Sequence, residues 1–423
     1  MLRSLPSPST TAFGIALAAA LPTGVAAAQD EHHGVTGRMR ADEPDQAWSD
    51  WELLTGDWQG SRAWLAERGV EISATFVVDT SWLFEGGEGG VDDRTTTRAL
   101  TDLGVDVDLE RAAGLAGTRA YLELYTQAGR NASDVVGDAQ GLSNIDAENV
   151  AQLAELWVEH GAADGAWRFK LGKVDANGEF ANVGAASEFL NSSAGYSPTI
   201  FPFPSYPDPA TSANLFASPA DGWQVGIGVY NAVDGGTVSG RRRLPADFDE
   251  LFVVGQVDRT WGVEGEAGAG RAAVGGWHHT GAFDRFDGGT ESGTAGSFAL
   301  LEQRLVARGE EEGDLELTGF LQWGCADEAV SAFEGHLAAG LVAGGLVPGR
   351  ESWDTGLYLT RADLSDDPGA GLGSGELAIE LFQEVVLTPS VVLRPDLQVI
   401  VDPSGREDIG DAWVFTLRVE LSL

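Results

Sequence analysis

The sequence predicts an all-β fold: a transmembrane antiparallel β-barrel of about sixteen strands, preceded by a short N-terminal helix. Three observations lead there. Apolar and polar residues alternate with period two from Glu71 to Leu423, as in strands whose two faces meet different surroundings. The composition, with 57 Gly, 13 Trp and 43% hydrophobic residues in no long apolar block, suits many short strands. The chain opens on an export signal, and nothing after it reaches the ~18 consecutive apolar residues of a spanning helix.

The elements follow in chain order. Arg3 supplies a positive end, Ala12 to Leu21 an apolar stretch, Pro22 and Gly24 a break, and Ala26-Ala27-Ala28 a small-residue cleavage site. Residues 1–28 are therefore expected to be a cleaved signal peptide. Residues 29–53 form an acidic leader without period, expected to be flexible, and residues 54–423 the barrel. His32 and His33 lie in the leader with no other metal-ligand type clustered beside them. From Asp57 to Gly69 the pattern predicts a short helix, capped by Asp57 and stopped by Gly69.

Beyond it the strands begin. Ile72, Ala74, Phe76, Val78, Trp82 and Phe84 share one face; Leu103, Val105, Val107 and Leu109 alternate with Asp102, Asp106, Asp108 and Glu110. The last segment sets Trp413, Phe415, Leu417, Val419 and Leu421 against Thr416, Arg418, Glu420 and Ser422. About fifteen such segments begin near residues 71, 99, 118, 151, 166, 222, 250, 271, 296, 315, 331, 354, 376, 391 and 412, and an even strand number makes sixteen the expectation. Some connections are tight, such as Thr388-Pro389-Ser390, whereas 175–221 reads as one long loop. That loop carries Phe189, Tyr196, Phe201, Phe203, Tyr206 and Phe216, rings that water would expose at a cost, so it is expected to fold into or over the barrel lumen. Trp82, Trp167, Trp223, Trp323, Trp353 and Trp413 fall near strand ends, as membrane-interface rings do. A large soluble β-sandwich would alternate too; densely charged polar faces and the lack of a repeat period favour the barrel.

Charge and chemistry exclude other classes. With 65 acidic and 26 basic residues the formal charge is -39, which opposes binding to nucleic acid. The single cysteine, Cys325, allows no intramolecular disulfide and no cysteine-based zinc site. His278 and His279 point to opposite faces of a strand and cannot share one metal. Glu155 and Glu159 stand about 13 Å apart along a strand at ~3.3 Å per residue, too far for glycoside hydrolysis, and Asp106 and Asp108 belong to an acidic ladder with no apolar pocket nearby. No nucleophile-elbow, Walker or HExxH motif is present. The expectation is a protein that is not an enzyme and needs no cofactor.

Several segments carry a family resemblance. Leu54-Thr55-Gly56-Asp57-Trp58 with Leu65-Ala66-Glu67-Arg68-Gly69 resembles the entry segment of the carbohydrate-selective porins of the OprB type. Ser143-Asn144-Ile145-Asp146, Glu155-Leu156-Trp157-Val158-Glu159, Gly178-Glu179-Phe180, Phe189-Leu190-Asn191-Ser192-Ser193 and Gly275-Gly276-Trp277-His278-His279-Thr280-Gly281 resemble further blocks of that family in the same order. Arg394-Pro395-Asp396-Leu397-Gln398 and Asp402-Pro403 complete the match. One departure is Leu423, where outer-membrane barrels commonly end in an aromatic residue.

The resemblance implies a sixteen-stranded outer-membrane barrel for passive diffusion of sugars, with those sugars and outer-membrane lipid as its partners. A sugar channel needs hydroxyl partners and aromatic faces that bind weakly enough to release the solute. The candidates on inward-reading faces are Arg119, Glu123, Tyr125, Glu155, Trp157, Glu159, Arg168, Lys170, Glu302, Arg304 and Arg361. Two other functions remain open at this level: a general cation-preferring porin, suggested by the acidity, and a secreted soluble β-protein that binds glycans.

Overall fold

A computed structural model describes residues 47–88, 94–232, 248–307, 315–350 and 352–423. The expected signal peptide and most of the leader lie outside these residues. Sixteen strands form the wall. They are β1 (Ala74–Glu85), β2 (Thr95–Asp108), β3 (Thr118–Gly129), β4 (Val150–Gly161), β5 (Trp167–Val174), β6 (Ala210–Ala220), β7 (Trp223–Ala232) and β8 (Glu250–Trp261). The second half comprises β9 (Gly270–Asp284), β10 (Thr290–Val306), β11 (Glu316–Ala326), β12 (Phe333–Gly344), β13 (Asp354–Leu364), β14 (Gly375–Gln383, resuming as Val385–Thr388), β15 (Val391–Val401) and β16 (Ala412–Ser422). Short helices α1 (Ser61–Ala66), α2 (Leu109–Ala113), α3 (Ser133–Val136), α4 (Ala176–Glu179) and α5 (Ser192–Gly195) sit in the connections.

Each strand pairs antiparallel with its sequence neighbours, and β16 pairs back onto β1, so the sheet is closed. Closure decides between barrel and sandwich, because a closed sheet leaves no edge of unpaired backbone. The seam is held by side chains as well. Arg418 and Asp79 face each other in register and form two hydrogen bonds of 2.7 and 2.8 Å, both groups almost wholly buried. Ser81 and Thr416 share a further bond of 2.8 Å.

Alternation sorts the wall. Outward positions such as Leu156, Val158, Leu357 and Leu359 are exposed, while Tyr358 and Thr360 between them are fully buried. The outward tryptophans form two belts. Trp82, Trp323 and Trp413 lie toward one end, Trp167, Trp223 and Trp353 toward the other.

The latter end carries both the start of β1 and the close of β16, with tight connections such as Asp221-Gly222 and Pro389-Ser390. There α1 is seated by Arg62, which donates to the Leu423 carbonyl at 2.9 Å and stacks on Trp58 at 3.9 Å. The helix is shorter than the sequence predicts, because Gly60 takes a left-handed φ of 87° and delays its start to Ser61; Asp57 still accepts from Ala63 N at 3.3 Å. Asp108 and Glu110 leave the expected acidic ladder, since Asp108 caps α2 through bonds of 3.0 and 3.1 Å.

The longest connection is residues 175–209. From sequence alone the connection runs on to 221, because β6 is hidden: its outward face is mostly small, with Ala213, Leu215 and Ala217, and gives little alternation. The segment lies inside the barrel. Phe189 packs on Phe320, Tyr358 and Phe382, and Phe203 on Phe252 and Phe298, all inward-facing wall residues. Missing side chains on the wall make room: a Cβ on Gly356 would fall 2.1 Å from Phe382 and 2.8 Å from Phe189.

Irregular backbone at membrane depth is tolerated where protein or lumen water satisfies its polar groups, and here the wall supplies partners. Ala181 N donates to Gln256 at 2.8 Å, Ala185 N to Glu302 at 2.9 Å, and Leu190 and Asn191 N to the Glu380 carboxylate at 2.5 and 3.0 Å.

Candidate functional site

Strands β3, β4 and β5 bring most of the sequence-predicted residues together on one stretch of inner wall. Register sets Glu123 opposite Glu155, Tyr121 opposite Trp157, and Arg119 opposite Glu159; Glu159 in turn faces Lys170. Arg168 donates to Glu159 at 2.8 Å and to Glu179 at 2.7 Å. Lys170 pairs with Glu179 and lies 3.7 Å from Glu159. Arg119 pairs with Asp106.

Aromatic faces interleave with these charges: Arg168 stacks 3.6 Å from the Phe216 ring, and Lys170 sits 3.8 Å from that of Trp157. Both are cation–π contacts that hold the basic groups extended along the wall. A recess of about 220 Å³ opens beside Glu159, Arg168 and Phe216, with Trp167 and Gln224 completing its rim.

Glu179 is a further group of the site, one that strand parity does not find. It projects from α4 in the internal segment and joins two basic side chains of the wall, although Gly178-Glu179-Phe180 already stood out in the sequence. Burial alone would push its carboxyl up, but the charges and hydrogen bonds of Lys170 and Arg168 hold it below the usual glutamate value. Two more clusters have the same design, and of their residues only Glu302 is a sequence candidate. Arg271 reaches Asp258 at 2.7 Å, Glu302 at 3.4 Å and the Asn182 carbonyl at 3.1 Å. Arg394 reaches Glu188 at 2.8 Å, Glu384 at 2.7 Å and Glu420 at 3.0 Å. In all three, wall arginines grip the segment 175–209 from below.

Other candidates fall elsewhere. Tyr125 is consumed by anchoring: it is buried, donates to the Pro207 carbonyl and packs on Tyr206 at 5.5 Å. Glu302 faces inward but is committed to Ala185 N and Arg271. Arg304 pairs with Glu316 on β11, away from the β3–β5 cluster.

Arg361 is a correction. On β13 the inward positions are Tyr358, Thr360 and Ala362, so Arg361 shares the outward parity of Leu357 and Leu359 and pairs with the half-buried Asp363 at 2.8 Å.

A closed sixteen-stranded barrel whose inner wall carries opposed charges and aromatic faces, with a segment folded inside, is the architecture of a porin. Residues 94–423 match the family model described as carbohydrate-selective porin, OprB family. The chain belongs to that family. It is a porin that passes sugars across the bacterial outer membrane, and it is not an enzyme.

Among curated relatives it is similar to Porin B of Pseudomonas aeruginosa, 23% identical over 89% of this chain and 91% of that protein. It is similar also to the putative porin QuiX of Acinetobacter baylyi, 24% identical over 89% of this chain and 94% of that one. The high-pH structure of Pseudomonas putida OprB shares the fold with a TM-score of 0.79 at 20% identity, covering 89% of this chain and all of that one.

Proposed function

We propose that sugars are selected at the β3–β5 wall, where Arg119, Arg168 and Lys170 oppose Glu155, Glu159 and Glu179 beside Trp157 and Phe216. The observation that carries this reading is the Arg168 guanidinium, bonded to two carboxylates while stacked on an aromatic ring. Such a surface offers charge-assisted donors and acceptors to sugar hydroxyls with little net charge. These bonds compete with water, so affinity is millimolar, on the order of -4 kcal/mol, weak enough to permit release.

The proposal extends to the surroundings: the two tryptophan belts mark the membrane interfaces in contact with outer-membrane lipid, and a signal peptide of residues 1–28 is removed on export. Replacing Arg119 and Arg168 together by Ala is expected to weaken sugar block of ion current and raise cation selectivity in planar bilayers. An unchanged sugar block and reversal potential in a correctly folded double variant contradicts the assignment.

A further inference from the structure

Most carboxylates of the lumen wall have a cation or a donor. Asp106 has Arg119, Glu159 and Glu179 have Arg168 and Lys170, and Glu155 accepts from Trp157 Nε1 at 3.1 Å and from Asp175 N at 3.0 Å. Asp102 on β2 and Glu123 on β3 differ in lacking a cation, Asp102 keeping one backbone donor at Leu103. They are diagonal neighbours across the β2–β3 ladder, within hydrogen-bond reach of each other, and among the described residues no basic side chain forms an ion pair with either. Both remain partly exposed on the inner wall. Two ionised carboxylates in contact repel strongly in a poorly solvated wall, so the pair calls for a shared proton or a guest cation.

A second group points into the same place. Tyr121 is 4% exposed, and its hydroxyl has no hydrogen-bond partner. That hydroxyl feels the carboxylates of Glu123, Asp102, Glu155 and Asp106, and its ring packs on Trp157 at 5.2 Å. The free hydroxyl and the two carboxylates share the inner face of neighbouring strands, close enough to interact.

From this geometry we infer that Asp102, Glu123 and Tyr121 form a subsite for a primary ammonium group, so that the channel favours amino sugars over neutral ones. This rests on the reading that sugars pass along the β3–β5 wall. An ammonium carries three donors, and the subsite supplies three acceptors: one oxygen from each carboxylate and the Tyr121 hydroxyl oxygen. The remaining hydroxyls of the sugar meet Arg119 and Glu155 on either side, across the registers Asp106–Tyr121 and Glu123–Glu155. A divalent metal is a poorer fit, because among the described residues no group of three ligating side chains is arranged to hold one.

The test compares glucosamine, protonated at neutral pH, with N-acetylglucosamine, whose amide is uncharged, and with glucose, all as blockers of ion current through the purified protein in planar bilayers at high salt. The expected result is half-block by glucosamine at a roughly tenfold lower concentration than by N-acetylglucosamine, equivalent to about 1.4 kcal/mol. In the Asp102→Asn, Glu123→Gln double variant, with folding verified by heat-modifiable gel migration, that ratio falls to about one. A wild-type ratio of one overturns the inference whatever the variant does. A ratio that survives in the double variant also overturns it, since the general negative field would then be enriching the amine. If none of the three sugars blocks or permeates, it is the sugar-channel reading at this wall that fails; if glucose does and glucosamine has no advantage, only the ammonium subsite fails.

Discussion

The Arg418 guanidinium at the closing seam shows how single residues of this barrel do two jobs. It binds Asp79 through two bonds on the neighbouring strand and reaches Asn144 in the β3–β4 loop at 2.7 Å. Removing one partner of a buried pair leaves an unpaired charge, so Asp79→Ala is expected to destabilise the barrel by about 3–5 kcal/mol. Urea unfolding of the reconstituted protein, followed by heat-modifiable migration, measures this; a loss below 1 kcal/mol contradicts it.

In the same β3–β4 loop, Asp138 is pushed up to about 8 by burial and by Glu376 beside it. A carboxyl raised in the folded state binds its proton more tightly there than in the unfolded chain. Its contribution to stability is therefore full below the ordinary value of 3.8 and is lost as pH rises through about 8. Unfolding midpoints should fall between those limits, and Asp138→Asn should flatten the slope; an identical slope in the variant contradicts the assignment.

At this scale the sequence was informative where parity was clear, as for Arg119 through Lys170, and misleading for Arg361. There Leu357 and Leu359 define the lipid face, and counting on by two places the arginine outside. Glu179 was hard to find because its partners lie on a different element.

The element that shapes the channel is the internal segment 175–209, which the wall both makes room for and ties down. Its aromatic content was legible in the sequence as a reason to fold inward, and the packing of Phe189 and Phe203 on the wall agrees. Its far boundary was not legible, because β6 presents little outward hydrophobic bulk. Residues Ala210 to Ser212 belong to that strand, so a clean deletion stops short of it.

Removing residues 197–208 is expected to raise single-channel conductance several-fold; unchanged conductance in a folded variant contradicts a narrowing role. A subtler probe is Gly356→Leu. The side chain would collide with Phe382 and Phe189, displace the segment and produce noisy, larger currents, and quiet wild-type currents would show that the segment is held elsewhere.

For the molecule as a whole, alternation supplied fifteen of the sixteen strands, all but β6, and two-faced strands are equally compatible with a soluble sandwich. What resolves the ambiguity is pairing between the first and last strands, a contact between residues more than three hundred positions apart that no local pattern encodes. The charge of -39 speaks to the field around the molecule and not to its selectivity, because the lumen pairs its basic groups with carboxylates at short range. Selectivity for sugars is then a property of hydrogen-bond geometry. The most direct test is titration of single-channel conductance of the purified wild-type protein with glucose in a planar bilayer. A saturable, millimolar decrease in current is the result expected of a channel that binds sugar on its wall. A decrease no larger than the added viscosity produces would contradict it.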